Sequence, residues 1–278
     1  MSGPRIGLAL GGGSARGLAH IPMLEVFDEL GLKPSVICGC SIGALVGAGY
    51  AAGLSARELR ERAERLLSTK MDAMRYIFGH KRTRLRDILS LRGLASLHIK
   101  GEKLVHLALP DGVPLNIEDM KIPFKVIATD FDAREERVFT RGPLVPAVAA
   151  SIAIPGVIIS PLIDDRVMVD GGITNPVPFD HVREDTDIVV AIDVTGRPRP
   201  PVREHHSNTE LAIGSLLIMF HQVAELRRAV NPPDIYIEPG VRSFKGNDFF
   251  KLQEMFEASQ PAKDELKREL EKRIKLIL

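Results

Sequence analysis

Short apolar runs recur along the chain and are separated by longer segments with helical patterns. Runs of this length, rich in β-branched residues, are typical of buried strands. They lie at residues 5–10, 36–38, 124–129, 167–169, 187–192 and 235–237. Because helical segments alternate with them, the sequence predicts an α/β fold with a largely parallel sheet.

The helical segments differ in character. Residues 42–52 carry small residues on one side, which suits close packing against a sheet. Ser55 and Glu58 form a capping-box pattern, so a charged surface helix is expected from there to about Leu67. A long apolar helix is predicted over residues 209–230.

The C-terminal part of the chain is expected to be an appendage of the α/β unit. A segment rich in Pro and Arg at residues 196–201 marks the end of that unit. The sequence therefore divides into a main domain over 5–195 and a helical extension over 196–278, packed on the same domain. The final helix, residues 261–278, has one apolar stripe, formed by Leu266, Leu270, Ile274 and Ile277. We expect this stripe to dock on the core or on a second copy of the chain, and membrane insertion is the less favoured alternative.

A G-x-S-x-G pattern, Gly39-Cys40-Ser41-Ile42-Gly43, stands where a strand should end and a helix begin. A tight strand-to-helix turn aims the serine hydroxyl at a substrate, and flanking glycines permit strained backbone angles. The N-terminus of the next helix would direct its free N–H groups at the serine. Such patterns also occur by chance in ordinary turns, so this one alone decides nothing.

A glycine-rich segment, GGGSARG at residues 11–17, follows the first strand. Backbone N–H groups that lie free of side chains make such a segment a cradle for an anion. A dinucleotide fingerprint would need glycine where Arg16 stands, and a P-loop would need a lysine. The spacing therefore disfavours a nucleotide phosphate and favours the oxyanion of an acyl-transfer intermediate.

Asp170 stands at the end of the apolar run 167–169 and is followed by Gly171 and Gly172. Aspartate is unfavourable inside a strand. It is therefore either a turn former or a placed functional group, and the local sequence alone favours the turn former.

Together and in this order, the three motifs resemble the patatin-like phospholipase family. The resemblance covers about residues 5–195 and extends to blocks at 128–130, 150–156 and 175–178. It implies a three-layer α/β/α fold with a mainly parallel central sheet. It also implies a Ser–Asp dyad, in which Ser41 is the nucleophile and Asp170 the general base. By the same resemblance, the oxyanion segment comprises Gly11, Gly12, Gly13, Ser14 and Arg16, the elbow glycines are Gly39 and Gly43, and the Asp-Gly-Gly motif is Asp170, Gly171 and Gly172.

A Ser–His–Asp triad is the alternative, and the chain has eight histidines. An α/β-hydrolase with the chain order Ser, Asp, His would need His181, His205, His206 or His221. None of the eight lies at a predicted strand end followed by a turn, where a triad histidine is normally held. His20, inside the glycine-rich segment, is expected to be structural.

Composition agrees with a cytoplasmic globular enzyme. The length of 278 residues suits one large α/β domain. The two cysteines, Cys38 and Cys40, are too few for a zinc cage or a secreted disulfide scaffold. No cofactor, metal or nucleic-acid partner is predicted. The sequence enters a strand almost at once, so no signal peptide is expected.

Residues 56–103 form the one sizeable basic segment, with thirteen Lys or Arg against six Asp or Glu. The count alone favours a solvated helical face. Interleaved apolar residues, among them Met71, Tyr76 and Phe78, leave two alternatives, a lid over the site or a peripheral contact with an anionic membrane.

The sequence thus predicts a serine acyl-ester hydrolase that releases fatty acid from phospholipids or related lipid esters. A hydrolase of small soluble esters or thioesters is the alternative with the same chemistry. A regulatory or binding protein on the same fold is the alternative from a different class. The joint presence of Ser41, Asp170 and the glycine-rich segment weighs against that last alternative.

Overall fold

The computed structural model describes residues 3–68, 99–184, 186–196 and 208–277. Its strands are β1 (Ile6–Leu10), β2 (Val36–Cys40), β3 (Ile99–Lys100), β4 (Phe124–Asp130), β5 (Glu135–Phe139), β6 (Ile158–Ile159), β7 (Leu162–Ile163), β8 (Arg166–Asp170), β9 (Ile188–Ile192) and β10 (Ile235–Ile237). Its α-helices are α1 (His20–Glu29), α2 (Ile42–Ala51), α3 (Ala56–Leu67), α4 (Gly101–Ala108), α5 (Leu144–Ser151), α6 (Asn208–Val230), α7 (Leu252–Ala258) and α8 (Gln260–Ile277). Short 3-10 helices cover Ser14–Ala19, Ile117–Asp119, Gly171–Ile173 and Phe179–Val182.

The central sheet has eight strands in the order β10-β9-β1-β2-β4-β8-β7, with β5 also paired to β4. From β10 to β4 each strand is parallel to its neighbours in that order. By contrast, β5, β7 and β8 join in antiparallel pairs. The separate pair β3 and β6 is parallel. The predicted α/β fold with a mainly parallel sheet is confirmed.

Both faces of the sheet are covered, because successive side chains of a strand point to opposite sides. Leu8 and Leu10 of β1 enter the larger core, which they share with residues of α1, α2, α5 and α8. Ala9, between them, enters a smaller core with Phe179 and with Ala224 of α6. The sheet is therefore the middle one of three layers.

Two strands share one edge of β4. Val126 and Ile127 pair with both β2 and β5, whereas Ala128 pairs with both β5 and β8. Since a strand has only two edges, β2 and β8 must both lie opposite β5. β2 ends beside Ile127 and β8, which runs the other way, ends at Asp170 beside Ala128. The carboxyl ends of β2 and β8 therefore meet. Ser41, which follows β2, lies beside Asp170, the last residue of β8.

The capping box at the start of α3 is present as the sequence predicts. Ser55 Oγ accepts the Glu58 N–H at 3.2 Å, and the Glu58 carboxylate accepts the Ser55 N–H at 2.8 Å. These two bonds satisfy N–H groups that a helix N-terminus otherwise leaves unpaired. The helix thus begins at the residue that the pattern indicates.

The C-terminal helix α8 docks on its own chain. Leu266 and Leu270 are fully buried, and Lys263 Nζ lies 2.7 Å from the carboxylates of Glu25 and Glu29 on α1. Ile277, at the end of the predicted stripe, is 47% exposed. The extension also contributes to the sheet, because β10 pairs with β9.

Most of the basic segment lies outside the described residues, including Lys81, Arg82, Arg84 and Arg86. Its roles as a lid or as a membrane contact stay predictions. Among the described helices, none combines the length and the apolar character that a membrane span requires.

Candidate active site

Ser41 occupies a strained turn between β2 and α2. Its φ and ψ are 52° and −123°, a combination that residues with a side chain rarely adopt. A Cβ on Gly39 would lie 2.5 Å from the Cα of Ala44, and a Cβ on Gly43 would lie 2.1 Å from the carbonyl oxygen of Leu10. Backbone packing thus explains both glycines of the G-x-S-x-G pattern.

The two predicted dyad residues are in direct contact. The Ser41 hydroxyl donates to Asp170 Oδ2 at 2.7 Å, and the Gly172 N–H donates to Asp170 Oδ1 at 2.8 Å. Ser41 is 5% exposed and Asp170 is fully buried. Both carboxylate oxygens therefore have a partner, and one of these partners is the hydroxyl of the predicted nucleophile.

Burial determines the pKa of the Asp170 carboxyl. Loss of solvation raises the pKa of this carboxyl from 3.8 to about 7, and the hydrogen bonds from Gly172 and Ser41 only partly oppose that rise. In the described part of the chain, no Lys or Arg is hydrogen-bonded to Asp170. A carboxylate with a pKa near neutrality can both accept and return a proton, as a general base must.

The glycine-rich segment lies beside the nucleophile, since a Cβ on Gly12 would lie 3.2 Å from the Cβ of Ser41. The structure narrows the predicted set of oxyanion donors. The N–H groups of Gly11 and Gly12 donate to the carbonyls of Ile192 at 3.0 Å and Pro176 at 2.8 Å. These two N–H groups hold the loop in place, the first against the end of β9 beside β1 and the second against the loop that contains Pro176.

Gly13 and Ser14 supply two further backbone N–H groups of the loop, whereas the Arg16 N–H donates to the Gly13 carbonyl at 3.3 Å. The described part of the chain provides neither of them with an acceptor. A Cβ on Gly13 would lie 2.1 Å from the Val194 carbonyl oxygen, so only glycine fits there. The predicted oxyanion donors are thereby reduced to the amides of residues 13 and 14.

Arg16 is placed differently from the prediction. Its side chain is fully buried, and its three nitrogens donate to the carbonyls of Val194 at 2.9 Å, Phe244 at 3.1 Å and Thr195. Burial lowers the pKa of its guanidinium to about 10, against the attraction of Asp193. The guanidinium thus ties the glycine-rich segment to the C-terminal part of the chain and does not point to Ser41.

The described histidines make contacts elsewhere. His20 Nε2 donates to the Gly11 carbonyl at 2.8 Å, and burial lowers its pKa to about 4, which keeps it neutral. His181 pairs with Glu136, and His221 Nδ1 lies 3.1 Å from Thr195 Oγ1. No described histidine is hydrogen-bonded to Ser41 or Asp170. The positions of His205 and His206 lie outside the described residues.

The sequence analysis placed Ser151 in a block that resembles the family, 150–156, but assigned it no role in this site. Its buried Oγ accepts a hydrogen bond from the backbone N–H of Ser41 at 2.7 Å. Besides that block, the local signal was a lone hydroxyl at the end of an otherwise apolar helix, α5. Neither signal predicts the contact with Ser41, which depends on the packing of α5 on β4.

Two groups of described residues have the side chains and spacing to hold a metal ion, and neither includes Ser41 or Asp170. They are Glu136, Asp180 and His181, and Asp193, His221 and Glu225. Arg227 already pairs with both carboxylates of the first group. In the second, Asp193 accepts from Tyr236 and from the Thr195 N–H. These contacts give Glu136, Asp180 and Asp193 partners other than a metal, and Glu225 lies 3.8 Å from Arg228.

Comparisons with known proteins bear on the family of the chain. The model of the family described as patatin-like phospholipase matches residues 8–183. An uncharacterized NTE family protein of Mycobacterium tuberculosis is 36% identical over 208 residues, which are 74% of this chain and 54% of that protein. Patatin-like phospholipase domain-containing protein 6 of Homo sapiens is 31% identical over 201 residues, 70% of this chain and 14% of that protein.

Among solved structures, VipD from Legionella pneumophila is similar with a TM-score of 0.49 and 13% identity, over 96% of this chain and 67% of that chain. The chain spans about half the length of the mycobacterial relative. The family match includes the glycine-rich segment, the elbow and the Asp-Gly-Gly motif, and it covers more than half of the sequence. The chain belongs to the patatin-like phospholipase family.

Proposed function

We propose that this chain is a serine acyl hydrolase of lipid esters that works through a dyad of Ser41 and Asp170. The observation that carries the proposal is the 2.7 Å hydrogen bond from Ser41 Oγ to Asp170 Oδ2, inside a buried site. A nucleophile bonded directly to a base is the arrangement that hydroxyl-based covalent catalysis needs. Here the base is a carboxylate whose pKa burial raises to about 7.

In the first half-reaction, Ser41 Oγ attacks the ester carbonyl carbon while Asp170 Oδ2 accepts its proton. The carbonyl oxygen becomes an oxyanion, which the N–H groups of Gly13 and Ser14 stabilise. When the tetrahedral intermediate collapses, the proton on Asp170 passes to the leaving alcohol. The products are the free alcohol and an acyl ester on Ser41.

In the second half-reaction, water takes the place of the alcohol. Asp170 accepts a proton from the water as its oxygen attacks the acyl ester, and the same N–H groups hold the second oxyanion. Collapse releases the carboxylic acid and returns the proton to Ser41 Oγ. The Gly172 N–H holds the second oxygen of Asp170 throughout, which keeps Oδ2 directed at Ser41.

The support for a lipid substrate comes from the description of the family and from the name of a relative. The family is described as phospholipase, and a Drosophila melanogaster relative with 32% identity over 201 residues is named neuropathy target esterase. The shared segment covers 13% of that protein. We therefore propose phospholipids, lysophospholipids or related lipid esters as the substrate class, with small soluble esters as the alternative.

The test combines covalent labelling with a substrate panel. A phosphonate ester probe should label wild-type protein at Ser41, and Ser41→Ala should abolish both labelling and hydrolysis. Ser259→Ala is the matched control, because Ser259 is also a buried serine but bonds back to the Met255 carbonyl of its own helix. Labelling at Ser14 or Ser151 would overturn the nucleophile assignment.

The panel decides the substrate class. Release of fatty acid from phospholipids or lysophospholipids supports the proposal, whereas turnover of short nitrophenyl esters alone favours a soluble-ester hydrolase. If the folded protein neither labels nor turns over any ester, the proposal fails and a binding protein on the same fold takes its place.

A further inference from the structure

One short segment at the end of α5 contacts the backbone of both dyad residues. Ser151, the last residue of α5, accepts the Ser41 N–H on its Oγ at 2.7 Å. Two residues later, the carbonyl oxygen of Ala153 accepts the Asp170 N–H at 3.0 Å. Residues 151–153 therefore connect the nucleophile and the base through hydrogen bonds that involve neither catalytic side-chain oxygen.

The Ser41 backbone needs such support. A serine with φ of 52° and ψ of −123° stays in that conformation only when its surroundings leave no alternative. Its carbonyl oxygen is bonded by the Ala44 and Leu45 N–H groups at 2.9 and 3.2 Å, and its N–H is bonded by Ser151. The hydroxyl of Ser151 thus holds the one polar backbone group of Ser41 that α2 cannot hold.

The contact is also closed to water. Ser151 is fully buried and is the only polar residue of α5, whose other residues face the core or its edge. A buried hydroxyl is costly unless it is hydrogen-bonded, so its presence here marks a specific contact. It further means that the Ser41 N–H is occupied and is not available as an oxyanion donor.

We propose that Ser151 is a positioning residue of the dyad, whose hydroxyl fixes the Ser41 backbone so that Oγ stays aligned with Asp170 Oδ2 and with the attacked carbonyl. The inference rests on the proposed function. Ser151 touches no reacting atom, so its loss disturbs alignment and not the binding of substrate. Displacement of a reacting atom by about 1 Å can cost roughly 100-fold in rate.

The experiment compares wild type with Ser151→Ala, Ser151→Thr and the control Ser259→Ala, using a short soluble ester and the phosphonate probe. We expect Ser151→Ala to lower kcat and the labelling rate about 10- to 100-fold with KM unchanged. Ser151→Thr keeps the accepting hydroxyl and should recover most of the loss. Ser259→Ala removes an equally buried hydroxyl and should lower thermal stability without lowering kcat.

The outcomes separate the inference from the function on which it rests. If wild type neither labels nor hydrolyses, the proposed function fails. If wild type is active and Ser151→Ala keeps its kcat, or raises KM instead, the positioning inference alone fails. Should Ser151→Ala not fold, Ser151→Cys keeps the size with a weaker acceptor, and a kcat equal to wild type in that folded variant would overturn the inference.

Discussion

Two aspartates end neighbouring strands of the same sheet, and their pKa values are shifted in opposite directions. Asp130 ends β4 and Asp170 ends the antiparallel β8, two positions apart in the register. The Arg166 guanidinium, which donates to Asp130 at 2.8 Å, and the N–H groups of Ala133 and Asp132 hold the pKa of Asp130 below its usual value. Burial raises the pKa of Asp170 to about 7.

The two pKa values differ because the hydrogen-bond partners of the two carboxylates differ. The residue type is the same, and both residues end a strand of the same sheet. Asp130 is also buried, but it is bonded to the guanidinium of Arg166, whose side chain is 46% exposed, so a cation stabilises its charge. Asp170 is fully buried and has one N–H and one hydroxyl as partners. A carboxylate in the first setting is a structural anion, whereas one in the second setting is held ready to accept a proton.

The largest expected effect is on kcat/KM, which should fall on substitution of Asp170 and not on substitution of Asp130. Asp170→Asn keeps the shape of the side chain but removes the basic oxygen, so kcat/KM should fall by roughly 10²–10⁴. Asp130→Asn, the matched control, should stay within a few-fold of wild type on the same ester. Near-normal turnover by Asp170→Asn would mean that the dyad is wrong and that a histidine must act as the base.

A smaller effect is expected in the pH profile. Because Asp170 must be ionised to accept a proton, kcat/KM should fall about tenfold per pH unit below its pKa of about 7 and level off above it. Asp130→Asn should leave the midpoint in place. A midpoint near pH 4 in wild type would show that burial does not control this carboxyl.

The smallest effect concerns stability and has opposite signs at the two aspartates. The unfolded chain releases the Asp170 proton near the ordinary aspartate pKa of 3.8 and the folded chain near 7, so stability falls as the pH rises between these values. Asp170→Asn removes this penalty and should stabilise the protein by roughly 2–4 kcal/mol at pH 8, and by less at pH 5.

Substitution of Asp130 should change the pH dependence of stability in the opposite direction. Its pKa is lowered on folding, so its charge contributes stability at neutral pH that is lost as the pH falls through the folded pKa. Asp130→Asn should therefore destabilise the protein at pH 8, and the difference should vanish in acid. Urea unfolding at both pH values measures the two variants together, and equal signs would contradict the comparison.

Much of the local structure was predictable from the sequence because it depends on neighbouring residues. The strand before Ser41 and the helix after it follow from a buried apolar run and a small-residue helix separated by Gly39 and Gly43. The capping box at Ser55 is equally local. The family resemblance added the pairing of Ser41 with Asp170, which the local sequence of Asp170 did not favour.

The roles of Gly11, Gly12 and Arg16 could not be predicted in the same way. Their partners are the carbonyls of Pro176, Ile192, Val194, Thr195 and Phe244, all far away in sequence. A glycine-rich segment shows that N–H groups are accessible, but not which of them the rest of the chain will occupy. Only the positions of Ile192, at the end of β9, and of Pro176 decide that the N–H groups of Gly11 and Gly12 are occupied and those of Gly13 and Ser14 remain.

The sequence by itself determined the main buried strands, the helices that follow Ser41 and Ser55, the strained elbow and the residue types of the site, because backbone sterics and apolar periodicity act over a few residues. It did not indicate shorter elements such as β5 and α4. The tertiary structure alone decided that β2 and β8 end against each other on one edge of β4, and that Ser151 reaches the Ser41 N–H. It also decided that Asp170 is buried with no cation bonded to it among the described residues, whereas Asp130 has Arg166. Burial and charge partners depend on which distant segments pack together, and these two quantities set the pKa of a carboxyl.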